Sequence, residues 1–524
     1  MPLLASSEHP STMDPPFPLL LIVGVGIVLS FLIHMFQRRR APFPPGPPGI
    51  PFIGNLFQLP QEQPWLTYAS WAKHYGDIVH LTAFGQHIIL LNSESAVLDL
   101  LERRSAIYSD RPQLCMSGEL VGWSGSVPMI TYGDRHREYR KLLNEALASR
   151  KLEELHAIEE EKAFEFLQLL TRDSTSFSAH ARRLVAAIIL DISHGYTVAE
   201  RDDPRMELAE RANREFALST VSGAYLCDIL PFYTFRSGQA CSLKKDAKQF
   251  KKTVDTLRNE PYDEVKAEIA NGRAKPSFTQ RLIERNLHPT PEEELTYKWA
   301  AVAIYVAGAD TTTSALEWFF LAMSLYPKVQ EKAHSELMKV VGPTRLPRFS
   351  DRTHLPYISA LIKEIHRWNP VIPLALPHRL TQDDYYRGYH IPAGSIIWAN
   401  SWSLLHDPAV YPAPFEFSPE RFLSDNEKLN PDPRRYVFGY GRRSCPGQVL
   451  AEDMLYIAIV STLSVFRIEP ADASKLDVES TSTILRCDSV SFFPSQVDKV
   501  LYSHPKVLEC NLIPRSEEAL SLLQ

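Results

Sequence analysis

The stretch Phe438-Gly439-Tyr440-Gly441-Arg442-Arg443-Ser444-Cys445-Pro446-Gly447 decides the reading of this chain. Its glycines allow backbone shapes that a β-carbon forbids. After Pro446 the pattern turns helical, from Gln448 to about Phe466. Cys445 therefore stands just before a helix N-terminus, where free N–H groups and the helix dipole favour an anion. Arg442 and Arg443 add positive charge. A thiolate so placed can serve as a nucleophile, a zinc ligand or a haem ligand. Zinc asks for three or more Cys or His partners at set spacing, and none lies near. A cysteine nucleophile asks for a histidine base, which the sequence alone leaves open.

Upstream lies a long helical segment. Thr290-Pro291-Glu292-Glu293 supplies an N-cap, a first-turn proline and a capping-box glutamate, and Pro327 stops the helix. Its middle is apolar nearly all round, the mark of a helix that crosses a core. One polar knot interrupts it: Ala307-Gly308-Ala309-Asp310-Thr311-Thr312-Thr313. Glycine and threonine are poor helix formers, and threonine hydroxyls can bond back to the carbonyl four residues earlier. A buried acid there is costly unless it has partners. Further on, Glu364 and Arg367 stand three apart on a helix whose apolar face is Ile358, Leu361, Ile362, Ile365 and Trp368. Taken alone they read as a surface pair worth roughly a few tenths of a kcal/mol. Strand-like segments are short, at 79–82, 87–91 and 395–399. No βαβ alternation and no glycine-rich phosphate loop is present, which excludes a nucleotide-binding α/β enzyme. The expected class is mainly α with small β-sheets.

The pattern Phe-x-x-Gly-x-Arg-x-Cys-x-Gly, met at Phe438, Gly441, Arg443, Cys445 and Gly447, resembles the haem-binding loop of the cytochrome P450 monooxygenases. The resemblance implies that Cys445 is the axial thiolate on the iron of haem b, with Phe438 and Gly439 against the cofactor. Thiolate donation favours O–O cleavage. Glu364 and Arg367 resemble the family's Glu-x-x-Arg motif, and Arg421 in Phe417-Ser418-Pro419-Glu420-Arg421-Phe422 matches its third corner; the implied role is structural. The knot resembles the family's oxygen-binding groove. By that resemblance Thr311 hydrogen-bonds dioxygen at the iron and Asp310 relays protons, since heterolysis needs two protons in a site otherwise closed to water. The haem carboxylates need cations: Arg443, His378, Arg379 and Arg140 are the implied contacts. Arg140 matches the arginine of the family's Trp-x-x-x-Arg helix, but His136 replaces the tryptophan. Histidine can still donate to a carboxylate. The resemblance spans about residues 42–515. The stretches PHRLTQDDYYRGYHIPAG (377–394) and SHPKVLECNLIPRS (503–516) resemble the membrane-bound fungal branch that includes O-methylsterigmatocystin oxidoreductase and tryptamine 4-monooxygenase.

The chain has 524 residues, enough for two or three domains or one large core. Its net charge of -6 and lack of a basic stripe exclude a nucleic-acid partner. No internal repeat is present. The six cysteines, Cys115, Cys227, Cys241, Cys445, Cys487 and Cys510, form no CxxC pair. Disulfide frameworks belong to short secreted chains, so reduced thiols in a cytosol-facing domain are expected. Residues 17–36, FPLLLIVGVGIVLSFLIHMF, match one bilayer thickness and carry no Asp, Glu, Lys or Arg. Arg38, Arg39 and Arg40 follow, while Glu8 and Asp14 precede, which places the bulk of the chain in the cytosol. A cleaved signal peptide has the opposite arrangement. The prolines of 42–51 make an extended, semi-rigid spacer. The expected organisation is a short lumenal N-terminus (1–16), a single transmembrane anchor (17–36), a basic and proline-rich hinge (37–51) and a catalytic domain (52–524) at the endoplasmic reticulum membrane.

By the resemblance, the enzyme inserts one oxygen atom into a lipophilic small molecule. Electrons come from NADPH through a separate NADPH–cytochrome P450 reductase, with cytochrome b5 as a second donor. Substrate contacts are implied at 113–130, 217–235, 302–311, 371–376 and 497–502, where Trp123, Tyr225, Phe232 and Tyr233 favour an apolar or aromatic molecule. Secondary-metabolite biosynthesis and xenobiotic detoxification are the two settings. The rivals are a reductase-independent isomerase or dehydratase acting on a peroxide, and a non-catalytic haem- or lipid-binding membrane protein. Asp310 and Thr311, needed for neither, count against both.

Overall fold

The computed structural model describes residues 41–60, 63–147, 153, 155–220, 225–229, 239–423, 430–471, 503–505 and 510–524, together with Gly26. Apart from Gly26, the anchor reading at 17–36 falls outside these residues, as do Phe232, Tyr233 and the 497–502 stretch.

In chain order the longer helices are α1 (Pro64–Tyr75), α2 (Asp134–Ala146), α3 (His156–Arg172), α4 (Phe177–His194), α5 (Pro204–Thr220), α6 (Gln239–Ala270), α7 (Phe278–Arg285), α8 (Pro291–Leu325), α9 (Pro327–Val340), α10 (Pro356–Trp368) and α11 (Gln448–Val465). The strands are β1 (Ile78–Ala83), β2 (Gln86–Leu91), β3 (His378–Arg379), β4 (Asp384–Tyr386), β5 (Tyr389–Ile391), β6 (Ile396–Ala399), β7 (Phe466–Pro470) and β8 (Cys510–Pro514). The mainly helical class expected from the pattern is what forms.

Helix α8 starts where the sequence places it. The Thr290 hydroxyl accepts the Glu293 N–H while Glu293 Oε2 accepts the Thr290 N–H at 2.8 Å, a reciprocal cap. The helix then crosses the main core, burying Trp299, Tyr305, Trp318, Phe319 and Phe320. Its most extensive neighbour is α4. Gly308 permits that approach, because a β-carbon there would overlap the Ile189 side chain. Helix α11 is long and apolar enough to span a bilayer, yet 83% of that window is buried inside the protein. It is a core helix, packed on α8, α3 and α9.

The largest sheet has the order β1-β2-β6-β3. β1 and β2 pair antiparallel, with Ile78 opposite Leu91, and β2 runs parallel to β6, with Ile88 opposite Ile396. β3 pairs antiparallel at the edge, with His378 opposite Ile397, so the sheet carries His378 and Arg379. β4 and β5 form a tight hairpin turned by Arg387 (φ 49°) and Gly388 (φ 83°). Positive φ at both central residues matches the right-handed twist of flanking strands. β7 follows directly on α11 and pairs antiparallel with β8, with Phe466 opposite Pro514.

Candidate active site

The cysteine loop is a closed turn ahead of α11. The Cys445 N–H donates to the Phe438 carbonyl at 2.7 Å, and the Arg443 N–H donates to the Tyr440 carbonyl at 3.0 Å. Gly439 and Gly441 have φ of 77° and 53°. At Gly441 a β-carbon would also overlap the Leu101 carbonyl. The Phe438 ring meets the edge of His366 at 5.4 Å. Helix α11 begins at Gln448, so Cys445 stands at its N-terminus as read from the sequence.

The charge argument needs one adjustment. The expectation is of a thiolate stabilised by the helix end and nearby arginine. Burial is the larger effect and raises the Cys445 thiol above its ordinary value, against the opposing pull of the Gly447 N–H and Arg140. The protein by itself thus favours the thiol, and a bound metal cation would ionise it. A reactive nucleophile needs a depressed pKa. Among the described residues no histidine bonds to Cys445. Its side chain is nonetheless accessible.

Around the loop lies a concentration of buried cations. Arg443 donates to the carbonyls of Ser109 (2.7 Å), Ile130 (2.6 Å) and Val127 (3.4 Å), while Arg140 donates to the Ser444 carbonyl. Arg111, also buried, donates to the Pro377 and Leu376 carbonyls at 2.6 and 2.9 Å. Burial pushes Arg443 down to about 10. It pushes His136 down to about 3, reinforced by the charges of Arg443, Arg140 and Arg111. His378 Nδ1–H donates to the Tyr108 carbonyl at 2.7 Å, and burial and Arg111 hold the imidazole well below its ordinary value. Arg379 is engaged elsewhere, on Asp110 at 2.6 Å.

These residues fit haem. Among the described residues, Arg111 Nε and His136 Nδ1 are buried and have no hydrogen-bond partner. The charge of Asp110 acts on both Arg111 and Arg443, and Arg379 already pairs with that carboxylate. Buried like charges are costly without a counter-charge. A group that brings two carboxylates beside an accessible cysteine answers both demands. Arg140, His136 and Arg111 are placed to hold those carboxylates, and Arg443 braces the loop through main-chain carbonyls. Sequence reasoning missed Arg111, which stands among polar neighbours, Ser109, Asp110 and Gln113, and carries no local signal.

The lock expected from Glu364, Arg367 and Arg421 is formed. Arg367 makes a bidentate pair with Glu364 at 2.7 and 2.8 Å, both side chains being fully buried. Arg421 Nε adds a contact at 3.1 Å, and the Ser418 N–H donates to Glu364 at 2.8 Å. The arginines' remaining N–H groups reach carbonyls at Leu405, Pro412, Pro414 and Glu416. The 405–421 meander is thereby tied to α10.

On α8 the polar knot behaves as its residues require. Thr311 and Thr313 hydroxyls donate to the carbonyls of Ala307 and Ala309, each at 2.7 Å. The helix is covered by protein on both sides of the knot, but Ala307 is exposed and 308–311 are half-buried. Asp310 Oδ1 faces His504 Nε2 at 3.5 Å, and His504 Nδ1 lies 2.7 Å from Glu317 Oε2. Neither His504 nor Glu317 was singled out from the sequence. Trp123, counted among substrate contacts, packs in the core against Phe216 and Trp299, with ring centroids 5.0 and 5.8 Å away.

A helical fold that presents an accessible cysteine at a helix N-terminus, beside arginines that outnumber the acids around them among the described residues, is that of a haem-thiolate protein. The chain belongs to the cytochrome P450 family, as one of its monooxygenases: the family's model, Cytochrome P450, matches residues 44–489. It is 41% identical over 514 residues to Cytochrome P450 monooxygenase 208 of Postia placenta, covering 96% of this chain and 97% of that one. It is 38% identical to Cytochrome P450 monooxygenase claR of Ampulloclitocybe clavipes, over 96% of this chain and 92% of that one. It is 37% identical to tryptamine 4-monooxygenase of Psilocybe cyanescens, over 96% and 99% of the two chains.

Proposed function

We propose that the protein is a membrane-anchored monooxygenase that inserts one atom of dioxygen into a lipophilic small molecule in fungal secondary metabolism. Its electrons come from NADPH through a separate reductase, with cytochrome b5 as a second donor. The observation that carries this reading is the accessible Cys445 at the start of α11, set beside arginines that outnumber the acids around them among the described residues, in a chain that keeps Asp310 and Thr311 on the uncovered part of α8. Similarity to tryptamine 4-monooxygenase supports an aromatic substrate within the lipophilic class. The run at 17–36, followed by Arg38 to Arg40, supports an anchor in the endoplasmic reticulum membrane with the catalytic domain in the cytosol.

Haem, when bound, supplies the centre at which electrons arrive and dioxygen is activated. The chain supplies the rest. Cys445 Sγ is the ligand atom; Arg140, Arg111 and His136 hold the cofactor's carboxylates. Thr311 Oγ gives its own hydrogen to Ala307, so its lone pairs face outward to accept and order an incoming O–H. Asp310, whose side chain keeps 20% of its surface accessible, takes protons from water and passes them on. An isomerase or dehydratase working on a peroxide has no use for that pair.

Thr311→Ala is expected to keep its haem and its thiolate spectrum but to waste NADPH. Product formed per NADPH should fall on the order of tenfold, with peroxide appearing instead. Unchanged coupling would remove Thr311 from the mechanism. Deletion of residues 1–40 is expected to move the protein from an alkali-washed membrane pellet to the supernatant with haem intact. Persistence in the pellet would place the membrane contact elsewhere.

A further inference from the structure

We propose that His504 is the proton donor that recharges Asp310, with Glu317 holding the imidazole between the two carboxylates. This rests on the monooxygenase reading and extends it to a residue remote in sequence.

The arrangement is built from one face of α8. Asp310, Ser314, Glu317 and Trp318 follow helical spacing, and each engages the 503–504 segment. The Ser503 carbonyl accepts from Ser314 Oγ at 2.5 Å and from Trp318 Nε1 at 2.8 Å, and the Ser503 N–H donates to the Val371 carbonyl at 2.9 Å. These bonds fix the main chain, and the imidazole of the next residue falls between the two acids. Glu317 is buried and has further partners on α4: Ser178 Oγ donates to it at 2.5 Å, and Arg182 pairs with it at 3.4 Å. His504 and Asp310 keep 16% and 20% side-chain exposure, so water reaches both.

The charges explain the choice of histidine. Asp310 and Glu317 face the ring from α8, and Arg182 faces Glu317 from α4. Two acids against one arginine leave a negative charge that a protonated imidazole neutralises. Burial opposes that charge, but the hydrogen bonds to Asp310 and Glu317 outweigh it and raise His504 to about 9. Its folded pKa lies above the unfolded value of about 6.5, so the stability it contributes is whole below that pH. That contribution is lost as pH rises through about 9. His504 Nε2 faces Asp310 Oδ1 at 3.5 Å, so a proton carried on that nitrogen is aimed at the carboxylate. In the transfer, the His504 Nε2–H bond breaks and an O–H bond forms at Asp310 Oδ1. The neutral ring keeps its Nδ1–H on Glu317 and regains its lost proton from water.

The test uses full-length, haem-loaded protein carrying His504→Gln or Glu317→Gln. In His504→Gln the thiolate Soret band and substrate KM should match wild type, while kcat falls several-fold, peroxide replaces product and the solvent deuterium isotope effect grows. A merely structural histidine would lower haem content and leave the isotope effect unmoved. A second measurement needs no turnover: histidine C2 hydrogen–deuterium exchange, read by mass spectrometry across pH. His504 should titrate near 9 in wild type and clearly lower in Glu317→Gln. A midpoint near the ordinary histidine value, or wild-type coupling and isotope effect in His504→Gln, overturns the proposal. A wild-type protein without a thiolate band would instead sink the monooxygenase reading, on which the exchange midpoint does not depend.

Discussion

Cys445→Ala protein is expected to purify with little haem, and any haem it holds should lack thiolate ligation. Among the described residues the loop holds no second cysteine. Cys227 and Cys510 are buried, with thiols that burial pushes up to about 12, and neither belongs to the loop. The fold itself should survive. The bond from the residue 445 N–H to the Phe438 carbonyl is main-chain, and alanine keeps it. The Cys445 side chain is accessible, so its removal opens no packed cavity. The measurement is haem content and reduced carbon-monoxide spectrum beside the melting midpoint of the haem-free proteins. A normal thiolate band in the variant would refute the ligand assignment outright.

The second large effect is expected at Glu364. Its carboxylate takes five short contacts, from Arg367, Arg421 and the Ser418 N–H. Glu364→Ala would leave two buried guanidiniums without a counter-charge, a loss of about 3–5 kcal/mol. Native proteins hold only about 5–15 kcal/mol in all, so most of the chain should fail to reach a haem-binding state at 37 °C. Glu364→Gln keeps the shape but not the charge and should be milder. Urea unfolding followed by tryptophan fluorescence, with haem content in parallel, measures both. A wild-type midpoint for Glu364→Ala would show that the network does not hold the 405–421 meander in place.

What the sequence made legible was local. The capping box at Thr290, the stop at Pro327 and the turn into α11 after Pro446 all depend on residues within a few positions of one another. The fold obeys them nearly to the residue. The Glu364–Arg367 pair was visible as spacing, but its complete burial was not, and burial is what turns a weak surface pair into a lock. The β4–β5 hairpin escaped notice because Arg387-Gly388 is not one of the usual turn pairs. Groups brought together over long separations were the least legible. His504 and Glu317 lie 187 residues apart and meet only through the packing of 503–505 on α8. Arg111 gained meaning only beside Arg443 and His136, which three separate segments deliver. Cys445 stands ahead of α11, where the local pattern puts it, while the effect of burial on its thiol, set against the Gly447 N–H and Arg140, depends on packing that the sequence does not display.

The most direct test of the whole account is a reduced carbon-monoxide difference spectrum of the expressed full-length protein. The account predicts the strongly red-shifted Soret band of thiolate-ligated haem. A band typical of histidine-ligated haem in folded protein, or no haem at all, would contradict it.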